Sequence, residues 1–112
     1  MNEVDAMEIA RRLDEVRAKI ARATGAAGRR PDDVRLVAVS KRQPIEAVAA
    51  ARAAGQFDFG ENYAQELRDK ARVLPEVRWH FLGPLQRNKV KYVVGTAALI
   101  HGVDNEALAL EL

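Results

Sequence analysis

The chain has 112 residues, enough for one small domain and not for two. Charged residues make up 30% and hydrophobic residues 48%, a globular balance that argues against disorder. With no cysteine, two histidines and a net charge of +2, it has no disulfide scaffold, thiolate nucleophile or cysteine-ligated metal; a His-rich metal site is not expected, and the charge alone makes no case for nucleic acid.

No stretch reaches the roughly 20 apolar residues of a membrane span. The opening MNEVDAMEIARRLDEV mixes acids and bases and has no apolar signal-peptide core, so the expected location is cytoplasmic, with no membrane partner. Residues 6–23 read as a helix: Ile9, Leu13, Val16 and Ile20 fall on one face, and Asp5 is a candidate N-cap. Gly25, Gly28 and Pro31 mark the loop over 23–33. Residues 34–40 (VRLVAVS) are nearly continuously apolar, the pattern of a strand buried on both faces of a parallel sheet. Pro44 opens a helix over 44–54 that Gly55 ends. The remaining expectations are strands at 57–60, 77–83 and 98–104, and helices at 61–74, 84–94 and 105–112. One helix followed by four β–α units implies right-handed crossovers and a parallel sheet. Such a sheet is either a small open one covered on both faces or the first half of an eight-stranded (β/α) barrel, which typically takes about 250 residues. The last helix has no terminating signal, which favours the half barrel, with residues 1–112 as a single unit and no second domain.

In parallel α/β folds, chemistry collects at the C-terminal ends of the strands. Those positions here hold Ser40-Lys41, Glu61-Asn62-Tyr63, Gly83 with Gln86 and Asn88, and Asp104-Asn105. Lys41 stands out among only five lysines. If its stem were desolvated, the free amine would be favoured and could attack a carbonyl; the alternative is a lysine just past the strand with its amine in water. Glu61 and Asn62 either hold a ligand's polar groups or cap the following helix. His80 shares a strand face with Arg78 and Leu82, opposite Trp79 and Phe81, and is either a packing residue or a ligand contact; His101 has the same two readings. Arg87, Lys89 and Lys91 read as a solvated helix face, and no glycine-rich phosphate loop is present.

Four blocks, LVAVSKRQPIE (36–46), FGENYAQEL (59–67), WHFLGPLQRNKVKY (79–92) and IHGVD (100–104), together resemble the pyridoxal phosphate homeostasis protein family. The resemblance runs from about residue 8 to the C-terminus. It implies a (β/α)8 barrel of TIM type, like the barrel domain of alanine racemase, with an extra N-terminal helix. It also implies pyridoxal 5′-phosphate (PLP) as cofactor, held as a Schiff base on the lysine of the VAVSK block, here Lys41. By the same resemblance, Asn62 and His80 stand near the cofactor and line the barrel interior. The family is thought to buffer or deliver PLP, with PLP-dependent apoenzymes as candidate recipients, and no turnover is expected of it.

Family members run to roughly twice this length, as monomers, and their second half supplies the phosphate contacts. The expectation is therefore an N-terminal half barrel, a fragment or the product of an incomplete gene model, that binds PLP weakly and self-associates or aggregates. The alternative function is a PLP-dependent amino-acid racemase, which needs an acid/base on each face of the cofactor; neither Tyr63 nor Tyr92 stands in a racemase-like motif. A plain interaction domain without a ligand is the third reading.

Overall fold

The computed structural model describes residues 5–102 and 106–112. In chain order the elements are α1 (Ala6–Ala26), β1 (Ala38–Val39), α2 (Ile45–Ala53), β2 (Asp58–Glu61), α3 (Ala64–Val73), β3 (Arg78–Phe81), α4 (Val90–Val93), β4 (Leu99–Ile100) and α5 (Glu106–Glu111). Short 3-10 turns lie at Pro31–Asp33 and Arg87–Lys89.

The strands form one parallel sheet in the order β1-β2-β3-β4. Sequential order without reversal is the arrangement of a barrel wedge; a doubly wound sheet reverses its order at a switch point. Side-chain burial agrees. Phe59, Trp79 and Phe81 lie on one face and pack with Val48 of α2, Leu67 of α3, Val90 and Val93 of α4 and Leu108 of α5. Ala38 and Ile100 join that cluster from the outer strands. Period-two alternation sends Val39, Asp58, Gly60, His80 and Leu99 to the other face. Val39 is 54% and Leu99 52% exposed, so the face a barrel would enclose lies open at β1 and β4.

Several elements differ from their sequence patterns. The apolar run 34–40 pairs only at Ala38–Val39. β1 is an edge strand, and the Leu36 carbonyl upstream accepts from the Gln56 side chain instead of a ladder partner. The fourth strand is likewise short, at Leu99–Ile100; Asp104 and Asn105, expected at its end, lie outside the described residues. The first helix runs on through Gly25 to Ala26, and the chain turns at Gly28 with φ +69°. Asp5 caps it as expected, its Oδ1 accepting from Glu8 N–H at 3.0 Å. The helix expected at 84–94 begins only at Arg87, because Leu85 turns into the core beforehand.

Candidate functional site

The turn after β1 carries Lys41. Backbone bonds hold its start: Ser40 N–H donates to the Gly60 carbonyl at 2.9 Å, and Gln43 N–H closes onto the Ser40 carbonyl at 3.0 Å. Arg42 sits at φ +60°, a left-handed conformation that costs a non-glycine residue about 1 kcal/mol. Lys41 itself is exposed, and among the described residues no hydrogen bond or ion pair engages its amine. On this chain alone its amine is in water, so the desolvated arrangement is not what this half of the sheet provides.

The buried lysine is Lys70, on α3. Its Nζ donates to the Ser40 carbonyl at 2.6 Å, to Glu61 Oε2 at 2.9 Å and to Glu66 Oε2 at 2.9 Å. An ammonium has three N–H donors, and each has its acceptor. Glu61 Oε2 also accepts from Ser40 Oγ at 2.5 Å, and Glu66 Oε2 from the Arg42 backbone N–H at 2.8 Å. Glu61 is fully buried, and among the described residues its other oxygen, Oε1, has no hydrogen-bond partner. Burial pushes the Glu61 carboxyl above the usual carboxylate range, with the bonds from Ser40 and Lys70 opposing. Burial also acts to raise Glu66, but the bonds from Lys70 and the Arg42 N–H outweigh it and hold that carboxyl below its ordinary value.

Glu61 and Asn62 do not cap α3. The helix starts at Ala64 after Tyr63, without a side-chain cap. Asn62 is half-buried and borders a cavity of about 290 Å³ with Phe81, Leu85 and Gln86. Its backbone meets the end of β3 closely: a Cβ on Gly83 would lie 2.2 Å from the Asn62 carbonyl oxygen. Tyr63 leans to the β1 turn, its hydroxyl 3.3 Å from Arg42 Nη2.

His80 lies on the open face within a line of three groups. Its Nε2 is 2.8 Å from Asp58 Oδ2 and its Nδ1 is 3.1 Å from His101 Nε2. A carboxylate only accepts, so Nε2 of His80 carries the hydrogen; in neutral His80, Nδ1 then accepts from His101 Nε2–H. Both nitrogens of His80 are thus occupied within the protein. His101 is exposed and has its Nδ1 left over. Among the described residues, no hydrogen bond joins Lys41, Asn62 and His80 to one another, and no cluster of three or more His, Asp or Glu could hold a metal. No helix among them is long and apolar enough to cross a membrane. Arg87 and Lys91 are exposed, and Lys89 and Lys91 flank the Tyr92 ring, as a solvated helix face would.

Lys70 lies outside any strand-end reading. Its signal is on α3: it sits three residues after buried Leu67, hence on the buried face, and four after Glu66. A charge at such a position needs a buried partner, and Glu61, the acid ending β2, supplies it.

No protein-family model matches the sequence. The chain is 44% identical over 110 residues to the pyridoxal phosphate homeostasis protein of Escherichia coli K12, covering 94% of this chain and 47% of that protein. It is 47% identical over 90 residues to the protein of the same name from Deinococcus radiodurans, covering 80% of this chain and 43% of that one. The chain belongs to the pyridoxal phosphate homeostasis protein family. It spans about half the length of the curated family members it matches. Solved structures agree. PipY of Synechococcus elongatus PCC7942 with PLP bound superposes with a TM-score of 0.78 at 42% identity, over 93% of this chain and 46% of PipY. An unknown protein from Bifidobacterium adolescentis reaches a TM-score of 0.86 at 31% identity, over 99% of this chain and 50% of its own. The four-stranded sheet and its helix layer are therefore the part shared with family structures.

Proposed function

We propose that this chain is the N-terminal half of a cytoplasmic PLP-homeostasis protein, and that Lys41 holds the cofactor as a Schiff base. The observation that carries the reading is Lys41 itself. It is the lysine at the C-terminal end of a parallel strand, with its amine exposed and unpaired. Lys70, whose amine bonds to the same turn, has its three donors engaged. The residues present fit the aldehyde end of PLP: an accessible amine on Lys41 and the half-buried Asn62 at the end of the next strand.

Bound PLP supplies a carbonyl carbon open to attack by an amine. The unprotonated Lys41 nitrogen adds to that carbon; the carbonyl oxygen leaves as water and a C=N bond takes its place, with no change of oxidation state. Asn62 is the proposed donor to the cofactor's polar groups. With both nitrogens committed within the protein, His80 lines the interior face of the sheet in this reading, and His101 is the imidazole with a nitrogen to spare. The remainder of a full-length barrel supplies the phosphate-binding loops in this reading, in line with where barrels place such loops. The function is storage and delivery of PLP to PLP-dependent apoenzymes, with no turnover assigned.

The test is an absorbance spectrum with added PLP, then borohydride reduction and mass mapping. A visible band and an adduct on Lys41, both lost in Lys41→Ala, are expected. Label spread evenly over the exposed lysines would refute the assignment to Lys41.

A further inference from the structure

We propose that Lys70, with Glu61 and Glu66, is a positioning device for the Lys41 turn. It fixes the backbone on both sides of Lys41 from the helix layer and so sets where the amine is presented. This inference rests on the Schiff-base reading above and extends it to residues that do not touch the cofactor.

On each side of Lys41 the backbone is tied to this cluster or to β2. Before Lys41, the Ser40 carbonyl takes Lys70 Nζ at 2.6 Å, the Ser40 hydroxyl reaches Glu61 Oε2 at 2.5 Å, and Ser40 N–H reaches Gly60. After Lys41, the Arg42 N–H reaches Glu66 Oε2 at 2.8 Å. Arg42, the residue that makes this bond, sits at φ +60°, a conformation disfavoured for a non-glycine residue that its surroundings must support. Lys70 bridges the two carboxylates, so the anchors on either side of Lys41 form one network. A bare helix–sheet contact requires no buried ammonium, and an apolar residue three positions after Leu67 would pack there at lower desolvation cost. What the ion network adds is direction: three donors aimed at three acceptors, two of which also bind the turn. The same geometry removes Lys70 as a competing nucleophile beside Lys41.

The 112-residue chain is incubated with PLP, reduced with borohydride and mapped, reading the adduct on Lys41 relative to the mean of the exposed Lys19 and Lys91. Lys70 should stay unlabelled in the folded chain. Glu66→Ala removes the acceptor for the Arg42 N–H at a partly exposed position. We expect it to lower the Lys41 selectivity about 10-fold, towards the level of a surface lysine, with Trp79 fluorescence unchanged; angstrom-scale misplacement of a reacting group costs up to about 100-fold. Glu66→Gln keeps an oxygen for that N–H and should restore most of the selectivity, which loss of a merely structural contact would not predict. Lys70→Met should show the same loss; if it fails to fold, the Glu66 pair decides. Wild-type selectivity in folded Glu66→Ala overturns the positioning role while leaving the Schiff-base reading standing. Absence of any Lys41 preference in the wild type overturns that reading, and the positioning role with it.

Discussion

Gly83→Ala probes the junction between the second and third strand ends, where the candidate site narrows. The ideal Cβ at Gly83 falls 2.2 Å from the Asn62 carbonyl oxygen, 2.9 Å from its carbon and 3.0 Å from its Cα. Ordinary contact begins near 3.4 Å, so the Asn62 peptide must retreat by about 1 Å. The obstacle is backbone, not the end of a flexible side chain, and it is fixed by the bond from Leu82 N–H to the Glu61 carbonyl at 2.8 Å. Overpacking of this kind costs about 1–3 kcal/mol. Gly83 has no left-handed backbone, so alanine also stiffens the unfolded chain, a gain of about 0.4–1 kcal/mol that offsets part of the cost. The expected net loss is about 1–2 kcal/mol, or roughly 5–15 °C in Tm for a domain of this size. Urea unfolding followed by Trp79, the single tryptophan and a buried one, reads it directly as a lower midpoint at unchanged slope. Gly102→Ala is the control, because its nearest neighbour would be at an ordinary 3.7 Å. Gly83→Ala within about 0.5 kcal/mol of wild type, the range of a surface substitution, would refute the close approach.

Gly25→Ala should act in the opposite sense, raising stability by about 0.5–1 kcal/mol in the same titration, since Gly25 lies inside α1 with nothing within 4 Å of an added Cβ. Asp58→Ala leaves a buried N–H of His80 without its acceptor and should cost about 1–3 kcal/mol, with the His80 tautomer, read from nitrogen-15 shifts, no longer fixed. The two carboxylates of the Lys70 cluster should shape the pH dependence in opposite ways. Glu61 is raised above its unfolded value near 4.5, so stability present below that pH is lost as pH climbs through the native value; the advantage of wild type over Glu61→Gln should shrink from pH 4 to neutrality. Glu66 is lowered, so its contribution is present above pH 4.5 and lost as pH falls through the native value; Glu66→Gln should be destabilised near neutrality and approach wild type in acid.

The element order and the parallel sheet were legible because buried strands and terminating glycines leave strong local marks. Gly55 turns the chain at φ +97°, where the sequence places the end of its helix, and Gly95 does so at +79°, just past the helix expected at 84–94. Strand lengths were not legible. VRLVAVS reads as seven strand residues, but pairing at an edge depends on what lies beside it, and the sequence does not encode that locally. The rim residues were legible as positions, not as interactions. The pattern puts His80 opposite Trp79, but only the staggered register of β2, β3 and β4 brings Asp58 and His101 to its two nitrogens. Lys70 was hidden for a related reason: it lies on a helix, and its three acceptors come from the turn after β1, from β2 and from α3.

The two faces of this sheet therefore differ in how complete they are. The helix-facing side is closed: Phe59, Trp79 and Phe81 are packed and the Lys70 ammonium is fully bonded. The other side keeps Val39 and Leu99 half in water, and its polar line ends on an exposed His101. If the amine of Lys41 were set only by groups on the open face, its placement would wait on whatever encloses that face. The bonds to Ser40 and Arg42 come instead from the closed side, so the turn is held independently of the barrel interior. Closing the open face would then change the solvation of Lys41 and the contacts made to a bound cofactor, and leave the turn where it is. If Lys41 holds PLP as proposed, its selectivity over the other exposed lysines would belong to this half of the fold, whereas affinity for the anionic cofactor would depend on groups beyond it.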